Sequence, residues 1–450
     1  MRRSRKRPAR KRVGRVSYYQ HHGGWHLYYQ EDGESVRKRV ADTEDGAARL
    51  AAQVNAQLSS GAQTLFSFEA VTVFELRRRF LDHHEHVLNS SLATVRRYRA
   101  ATRHLENFAA ANGKDISAHL IAGDQFVRHL RSIKVAPNGH ANTRQRLLRG
   151  KGIRYILEVC RSMYAFAAKK RHLPPYAENP FAELGLERMK IEDAKPIFIF
   201  DAASELAFFR ACDDWSFPVH FTLAKTGLRP GELRHLLIEE VDLESGWLLI
   251  RNKPELGWRI KTGRERAVPL IDGLVRVLRC VIGERTDGPV FLRQLYHAKG
   301  SVLGTADYDA LVKVCRSRLD QLDSDLGKPP SREEQAAICR GVWRDAGAVR
   351  AEAVRKSYIH STRAIGLPQA TCPKSWRHTF ATQLQDANVD PLIRQLTLGH
   401  KPANDARSAL GMTACYSHSR MVTRKREIER ALRLWPESLE FASHWARRDG

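Results

Sequence analysis

The chain has 450 residues, of which 42% are hydrophobic and 28% are charged. This length is too great for one ordinary domain and predicts two or three compact units. The composition is typical of a soluble globular protein, and no apolar run approaches the roughly 18 to 20 residues that a membrane-spanning helix needs. We therefore expect no membrane partner and a cytoplasmic, nucleoid-associated protein.

The charge of the chain is its most informative global property. The formal net charge is +25, and the first sixteen residues contain nine Arg or Lys where a secretory signal would have an apolar segment. A positive field of this size attracts polyanions, so nucleic acid is the leading partner and the N-terminus reads as an interaction arm. Charge alone also leaves open a basic protein without a nucleic-acid function.

The cysteines indicate neither a disulfide framework nor a metal site. They are odd in number, far apart in the chain and contain no Cys-x-x-Cys pair. We expect reduced thiols at all seven positions: 160, 212, 280, 315, 339, 372 and 415.

A small sheet and a helix are predicted in residues 1–61, after the basic arm. Three short strands at 16–19, 25–30 and 35–40 are separated by Gly-containing turns. Asp42 or Thr43 can cap the helix that follows. Aromatic and basic side chains on such a sheet suit DNA contact, but aromatic residues in a sheet are also typical of a core, and both interpretations stay open.

Residues 67–186 have the apolar periodicity of four helices. Their polar faces carry runs of basic residues at 77–79, 96–99, 144–154 and 169–171. A phosphate backbone could bind these faces, although ordinary solvated helix surfaces have the same appearance. The polar stretch 187–196 predicts a hinge into the next domain.

The last domain, 197–435, mixes helices with a short sheet. Strands are predicted at 247–251, 258–261 and 266–269. Residues 318–366 are polar and helical in character, which suggests an insertion, and a separate tail is predicted at 436–450.

The segment 226–233 (TGLRPGEL) places Arg229 where a glycine-containing turn enters a helix. Pro230 is favoured at a first helical position, so the Arg229 guanidinium should lie beside free backbone N–H groups. Such a position suits a phosphate group. The alternative is that Arg229 simply pairs with the nearby Glu232.

The segment 374–381 (KSWRHTFA) opens a further helix, on which Lys374 and Arg377 are three residues apart and can address the same anion. Asp390 and Pro391 begin the next helix, which Gly399 ends immediately before His400. Taken alone, a histidine after a helix end is usually unremarkable.

Together these motifs resemble the tyrosine recombinases, also called phage-type integrases. The resemblance rests on TGLRPGEL at 226–233, KTG at 261–263, RHTFA at 377–381, LGH at 398–400 and YSH at 416–418, in this order and spacing. It is sharpest over 222–270 and 373–418, and in domain layout it extends back to residue 67. Residues 1–61 are similar, less specifically, to the arm-site DNA-binding domain of lambda-integrase-like members.

The resemblance implies a mainly α multidomain fold: a small N-terminal three-stranded sheet with a helix, a four-helix, SAM-like core-binding domain, and an α+β catalytic domain of the DNA breaking-rejoining type. The last two would form a clamp around duplex DNA. No metal, nucleotide or other cofactor is implied.

The resemblance also implies a role for each site residue. Arg229 and Arg377 would hold the phosphate and His400 would donate to it. Tyr416 would attack the phosphorus to give a 3′-phosphotyrosyl bond, and Lys261 would protonate the departing 5′ oxygen. Members of this family act as four protomers on DNA, in some cases with accessory DNA-bending proteins.

Two features depart from the family pattern. Lys374 stands where the family usually has a histidine, and lysine is a poorer base for Tyr416. The interval from His400 to Tyr416 is also longer than usual, which predicts a loop at 403–411. The C-terminal tail would dock either on a neighbouring protomer, as is frequent in the family, or on its own domain.

Three functions are therefore compared. The leading one is a recombinase that integrates or excises a mobile element. A catalytically silent DNA-binding protein on the same fold is the second, with Lys374 and the long loop as its only indications. A type IB topoisomerase uses the same chemistry, but the basic arm and two predicted DNA-binding modules favour sequence-specific recombination.

Overall fold

The computed structural model describes residues 9–113, 116–136, 142–175, 177–191, 196–296, 303, 305–400 and 420–447. The chain divides into two compact units, Met1–Lys195 and Pro196–Gly450. No described helix combines the length and the apolar character that crossing a membrane requires.

The first unit begins with an antiparallel sheet of four strands in chain order: β1 (Lys11–Val13), β2 (Val16–His21), β3 (Gly24–Glu31) and β4 (Glu34–Ala41). The sequence predicted three strands, but the sheet has four, because the end of the basic arm forms β1. Gly14 adopts a left-handed φ of 54°, which lets the arm turn tightly and pair with β2.

One face of this sheet is covered by α1 (Glu44–Ser59). Of the two possible caps, Thr43 is the one used, because its side chain accepts a hydrogen bond from the backbone N–H of Gly46. Leu27 and Tyr29 of β3 pack in the core between sheet and helix.

The rest of the first unit contains the four predicted helices: α2 (Val73–Asp82), α3 (Leu92–Asn112), α4 (Gly123–Ser132) and α5 (Gly150–Lys169). A π-helical turn, His83–Val87, extends α2, and β5 (Lys134–Val135) pairs with β6 (Arg146–Leu147). Their core includes Leu76, Leu105 and Phe126. The Tyr164 hydroxyl donates to the carbonyl of Ala118 over 2.8 Å and ties α5 to the segment before α4.

The second unit surrounds a three-stranded sheet with helices. In chain order its elements are α6 (Ala202–Arg210), α7 (Ser216–Thr226), α8 (Pro230–Arg234), β7 (Val241–Asp242), β8 (Trp247–Ile250), β9 (Arg266–Pro269), α9 (Asp272–Ile282), α10 (Tyr308–Leu326), α11 (Arg332–Asp345), α12 (Ala351–Ala364), α13 (Ser375–Asp386), α14 (Pro391–Leu398), α15 (Met421–Leu432) and α16 (Pro436–Trp445). Trp376 is fully buried at the centre, with its ring stacked 4.1 Å from that of Phe200. The helix that carries Arg377 is thereby anchored in the core.

The predicted strand at 258–261 is not present. The sheet order is β7-β8-β9, and residues 254–256 form a short 3-10 turn that begins with Pro254. Gly257 then takes a left-handed φ of 68°, so the chain folds back and only the isolated bridge between Lys253 and Trp258 remains. The aromatic and aliphatic residues of 258–260 are used for packing instead of strand pairing.

Part of the predicted insertion at 318–366 lies in the main core. Val354 and Tyr358 of α12 belong to the same apolar cluster as Trp376. Residues of α10 and α11 form a second cluster, in which Trp343 donates from its indole N–H to the carbonyl of Leu256 over 3.1 Å. These helices therefore support the loop between β8 and β9.

The C-terminal tail packs on its own unit. Trp445 of α16 joins the main core, with its ring 5.1 Å from that of Phe217, and its Nε1 donates to Asp214 over 3.1 Å. The core of the second unit thus extends past residue 435, where the sequence placed the end of the catalytic domain.

Candidate functional site

Arg229 stands at the start of α8, as its sequence position predicts. It is the N-cap residue, with Pro230 in the first turn. Glu232 accepts hydrogen bonds from the Arg229 backbone N–H (2.9 Å) and guanidinium (2.7 Å). The pairing foreseen as an alternative does occur, but the Arg229 side chain remains 21% exposed and can still meet an anion.

A second arginine, which the sequence analysis did not single out, shares the same carboxylate. Arg266 of β9 donates to both Glu232 oxygens, over 3.1 and 2.7 Å. Burial acts to raise the pKa of Glu232, but hydrogen bonds from Arg266 and Arg229 outweigh burial and lower it. Glu232 is therefore a buried carboxylate between two guanidinium groups.

Arg377 is nearly buried, and its guanidinium joins two motif segments. One terminal nitrogen donates to the carbonyl of Gly227 over 2.8 Å, and the other donates to the carbonyl of Leu398 and contacts His400 Nε2 at 3.1 Å. Burial, and then the charge of Arg229, lower the pKa of Arg377 to about 10. The group stays charged at neutral pH.

His400 follows Gly399, whose left-handed φ of 64° ends α14. Since a guanidinium can only donate, His400 Nε2 must accept from Arg377, which places the proton of the neutral ring on Nδ1. Burial, followed by the charges of Arg377, Arg229 and Arg266, lowers the pKa of His400. The ring is therefore neutral at neutral pH. Because His400 is still exposed to solvent, the N–H of Nδ1 can donate to a ligand.

Lys261 lies on an exposed turn between β8 and β9. Asn252 holds both sides of this turn: its Oδ1 accepts from the N–H of Ile260 over 2.8 Å, and its Nδ2 donates to the carbonyl of Gly263 over 3.1 Å. The sequence analysis missed Asn252. An asparagine near a turn is a recognisable signal, but its partners eight and eleven residues away are not readable from spacing.

Lys374 is the exposed N-cap residue of α13, and the charge of Lys374 contributes, after burial, to a lowered pKa of His378. Tyr416 lies outside the described residues, as do the predicted loop at 403–411 and the YSH motif. The structure therefore brings Arg229, Arg377 and His400 together, and places Lys261 and Lys374 on exposed segments.

The sheet of the first unit presents a second basic surface, on the face opposite α1. Side chains alternate along a strand, so Tyr18 faces the core and Tyr19 faces the other way. The guanidinium carbons of Arg10 and Arg37 lie 4.9 and 5.3 Å from the centroid of the Tyr19 ring. One face of the sheet is therefore core, and on the other the exposed Arg10 and Arg37 cover the Tyr19 ring, which is only 1% exposed.

Two buried histidines lie on α7 and at the end of α8. His220 is hydrogen-bonded through Nε2 to the Ser357 hydroxyl at 2.9 Å, and His235 donates from Nδ1 to the carbonyl of Gly231 over 2.7 Å. Burial lowers the pKa of each to about 3. Both rings are neutral in the folded protein over most of the pH range.

We expect acid to destabilise the second unit through these histidines. An unfolded histidine has a pKa of about 6.5. Between pH 6.5 and pH 3 the unfolded chain binds more protons, so the free energy of unfolding falls as the pH falls. Each histidine should contribute a loss of about 2 kcal/mol between pH 7 and pH 5.

Denaturant unfolding followed by tryptophan fluorescence can measure this loss, because seven of the eight tryptophans lie beyond residue 196. His220→Gln should flatten the pH dependence. The control is His444→Gln, at an exposed histidine of the same unit. An unchanged slope in His220→Gln would contradict the expectation.

Comparison with known proteins agrees with the motifs in this unit. Residues 220–421 match the model of the phage integrase family. Over these residues, which are less than half of the chain, the protein is similar to the tyrosine recombinases. A curated relative, tyrosine recombinase XerA of Pyrococcus furiosus, is 25% identical over 206 residues, which are 46% of this chain and 51% of XerA. The match thus spans about half the length of that relative.

Solved structures of an integrase share the fold. The integrase of transposon Tn1549 in complex with circular intermediate DNA has a TM-score of 0.50 at 15% identity, covering 80% of this chain and 100% of that one. The same integrase with transposon right end DNA has a TM-score of 0.51 at 17% identity, covering 80% and 99%. The predicted fold class, mainly helical with small antiparallel sheets, is confirmed.

Proposed function

We propose that this chain is a site-specific DNA recombinase that cleaves and rejoins duplex DNA through a 3′-phosphotyrosyl bond to Tyr416. Its use would be to integrate or excise a mobile element. The observation that carries the proposal is the convergence of Arg229, Arg377 and His400 from three separate segments: Arg377 donates to the carbonyl of Gly227, two residues before Arg229, and contacts His400.

The geometry suits a phosphate that gains negative charge during transfer. Contacts within the described residues use three of the five N–H donors of Arg377, which leaves two for a phosphate oxygen. The neutral His400 ring can add the N–H of Nδ1. Donors that are fixed before the reaction stabilise the developing charge without a reorganisation cost.

The remaining roles follow from the same chemistry. Tyr416 would lose its hydroxyl proton to solvent and form a bond to the phosphorus, while the bond from phosphorus to the 5′ oxygen breaks and that oxygen leaves with a proton from Lys261. Reversal of these two steps by a 5′ hydroxyl from another strand rejoins the DNA. Lys374, at the exposed start of α13, would donate to a phosphate oxygen. The protein supplies all of these groups, so we propose no cofactor.

We propose double-stranded DNA and further protomers as the partners. Two exchanging duplexes present four strands to be cut, which requires four active sites and hence a tetramer on DNA. The basic face of the N-terminal sheet would bind a second DNA site, because the exposed guanidinium groups of Arg10 and Arg37, which lie over the buried Tyr19 ring, can pair with a phosphate backbone. Accessory DNA-bending proteins would be additional partners.

The test is a covalent-complex assay. Purified protein is incubated with nicked duplexes that contain candidate attachment sites, and a denaturing gel is examined for a protease-sensitive protein–DNA adduct. Tyr416→Phe should abolish the adduct, because the nucleophilic oxygen is lost while the ring remains. Tyr296→Phe, which removes a hydroxyl elsewhere in the second unit, is the matched control and should retain the adduct.

A second function has one observation in its favour. Lys374 replaces the family's usual histidine at the exposed start of α13, as a catalytically silent DNA-binding protein would tolerate. DNA binding without any adduct from the unmodified chain would support this function over the first, and Lys374→His would then be the next variant.

A further inference from the structure

Arg266 occupies a position that connects the segments of the site. It lies on β9, directly after the loop that carries Lys261, and its side chain is only 5% exposed. Both terminal nitrogens donate to the Glu232 carboxylate, which itself holds Arg229 at two points. The orientation of Arg229 therefore depends on a residue 37 positions away in the chain.

The same side chain also reaches the helix end before His400. Arg266 Nε donates to the carbonyl of Thr397 over 2.9 Å, in the last turn of α14. A Cβ atom at Gly399 would lie 2.9 Å from Arg266 Cδ, so the stem of the arginine packs directly against this glycine. Gly399 is thus required by both its left-handed φ and the contact with Arg266.

We propose that Arg266 is a positioning residue for strand transfer, which fixes Arg229 through Glu232 and His400 through the end of α14. This inference rests on the proposed function. Lysine cannot replace Arg266, because a single ammonium cannot span both carboxylate oxygens and a carbonyl on the other side. The positive charge of Arg266 also favours the neutral form of His400, since Arg266 is one of the groups that, after burial, lower the pKa of His400.

Two substitutions separate geometry from charge. Arg266→Gln removes both the fork of donors and the charge, while Arg266→Lys keeps the charge. We expect both variants to form the covalent complex roughly 10- to 100-fold more slowly, with DNA affinity nearly unchanged, because small displacements of catalytic groups have large effects on rate. The pKa of His400 should rise in Arg266→Gln and rise less in Arg266→Lys.

Arg424→Gln is the matched control. Arg424 is another nearly buried arginine that contacts the same strand, donating to the carbonyl of Ala267 over 2.6 Å. It should change neither the rate nor the pKa of His400. The pKa is followed by NMR of histidine-labelled full-length protein without DNA, with His400→Gln to assign the signal, and thermal unfolding monitors folding.

The outcomes distinguish the two proposals. If the unmodified chain forms no adduct, the proposed function fails, while the pKa of His400 in the Arg266 variants still decides whether Arg266 controls this group. If the unmodified chain is active and the Arg266 variants match it, the positioning role is overturned. A slower rate with His400 unchanged, as in a generally destabilised protein, overturns it too.

Discussion

Arg377→Lys should slow formation of the covalent complex by roughly 10²- to 10³-fold, the usual cost of losing one fixed donor to a developing oxyanion. Arg377 reaches the carbonyls of Gly227 and Leu398 and the ring of His400 with one planar group. A lysine keeps the positive charge but cannot hold these three partners and also meet a phosphate. The variant therefore tests geometry rather than charge.

The measurement is a single-turnover time course on nicked DNA, with DNA affinity determined in parallel. Affinity should change little, because many other basic residues contact the backbone in the proposed complex. Arg363→Lys, at an exposed arginine of α12, is the control and should react at the unmodified rate. A normal rate in Arg377→Lys would remove Arg377 from the proposed site.

Local signals explain why much of the fold could be predicted. The Asp390 cap with Pro391, the Arg229–Pro230 helix start and the left-handed Gly399 are each decided by neighbours within a few residues. Apolar periodicity likewise located the helices that pack around Trp376. At these positions local preference and tertiary packing agree.

The errors lie where distant contacts decide the structure. The segment 258–261 has the composition of a strand, but Trp258 stacks on His235 with ring centroids 5.0 Å apart and does not extend the sheet. The basic arm has no strand composition, yet Lys11–Val13 pairs with β2 because a tight turn presents it to an open edge. Neither outcome is encoded in the segment itself.

The candidate site divides in the same way. Arg229, Arg377 and His400 could be predicted because each belongs to a motif with recognisable spacing. Arg266 could not, because its importance comes from its ion pair with Glu232, 34 positions earlier, whose carboxylate also binds Arg229. The position of Tyr416 relative to this group remains a prediction, since residues 401–419 lie outside the described part of the chain.

Loss of a buried ion pair should have the second large effect, a decrease in the free energy of unfolding. Lys225 of α7 and Glu205 of α6 have side chains that are 0% and 1% exposed, and they are hydrogen-bonded to each other. Lys225 Nζ also donates to the Ser438 hydroxyl of α16 over 3.0 Å. The pair therefore joins the helix that leads into Arg229 to the C-terminal helix.

Lys225→Met should lower the free energy of unfolding by about 3 to 5 kcal/mol, because Glu205 is left as an uncompensated buried charge. The double variant Lys225→Met/Glu205→Leu should recover most of this loss, since apolar side chains of similar size can replace a buried pair. Denaturant unfolding of the full chain measures both, with Lys356→Met at an exposed lysine as control. If the double variant were as unstable as the single one, the loss would come from packing around Phe209 and Phe221, whose rings lie 5.9 and 5.8 Å from Lys225 Nζ, and not from the unpaired charge.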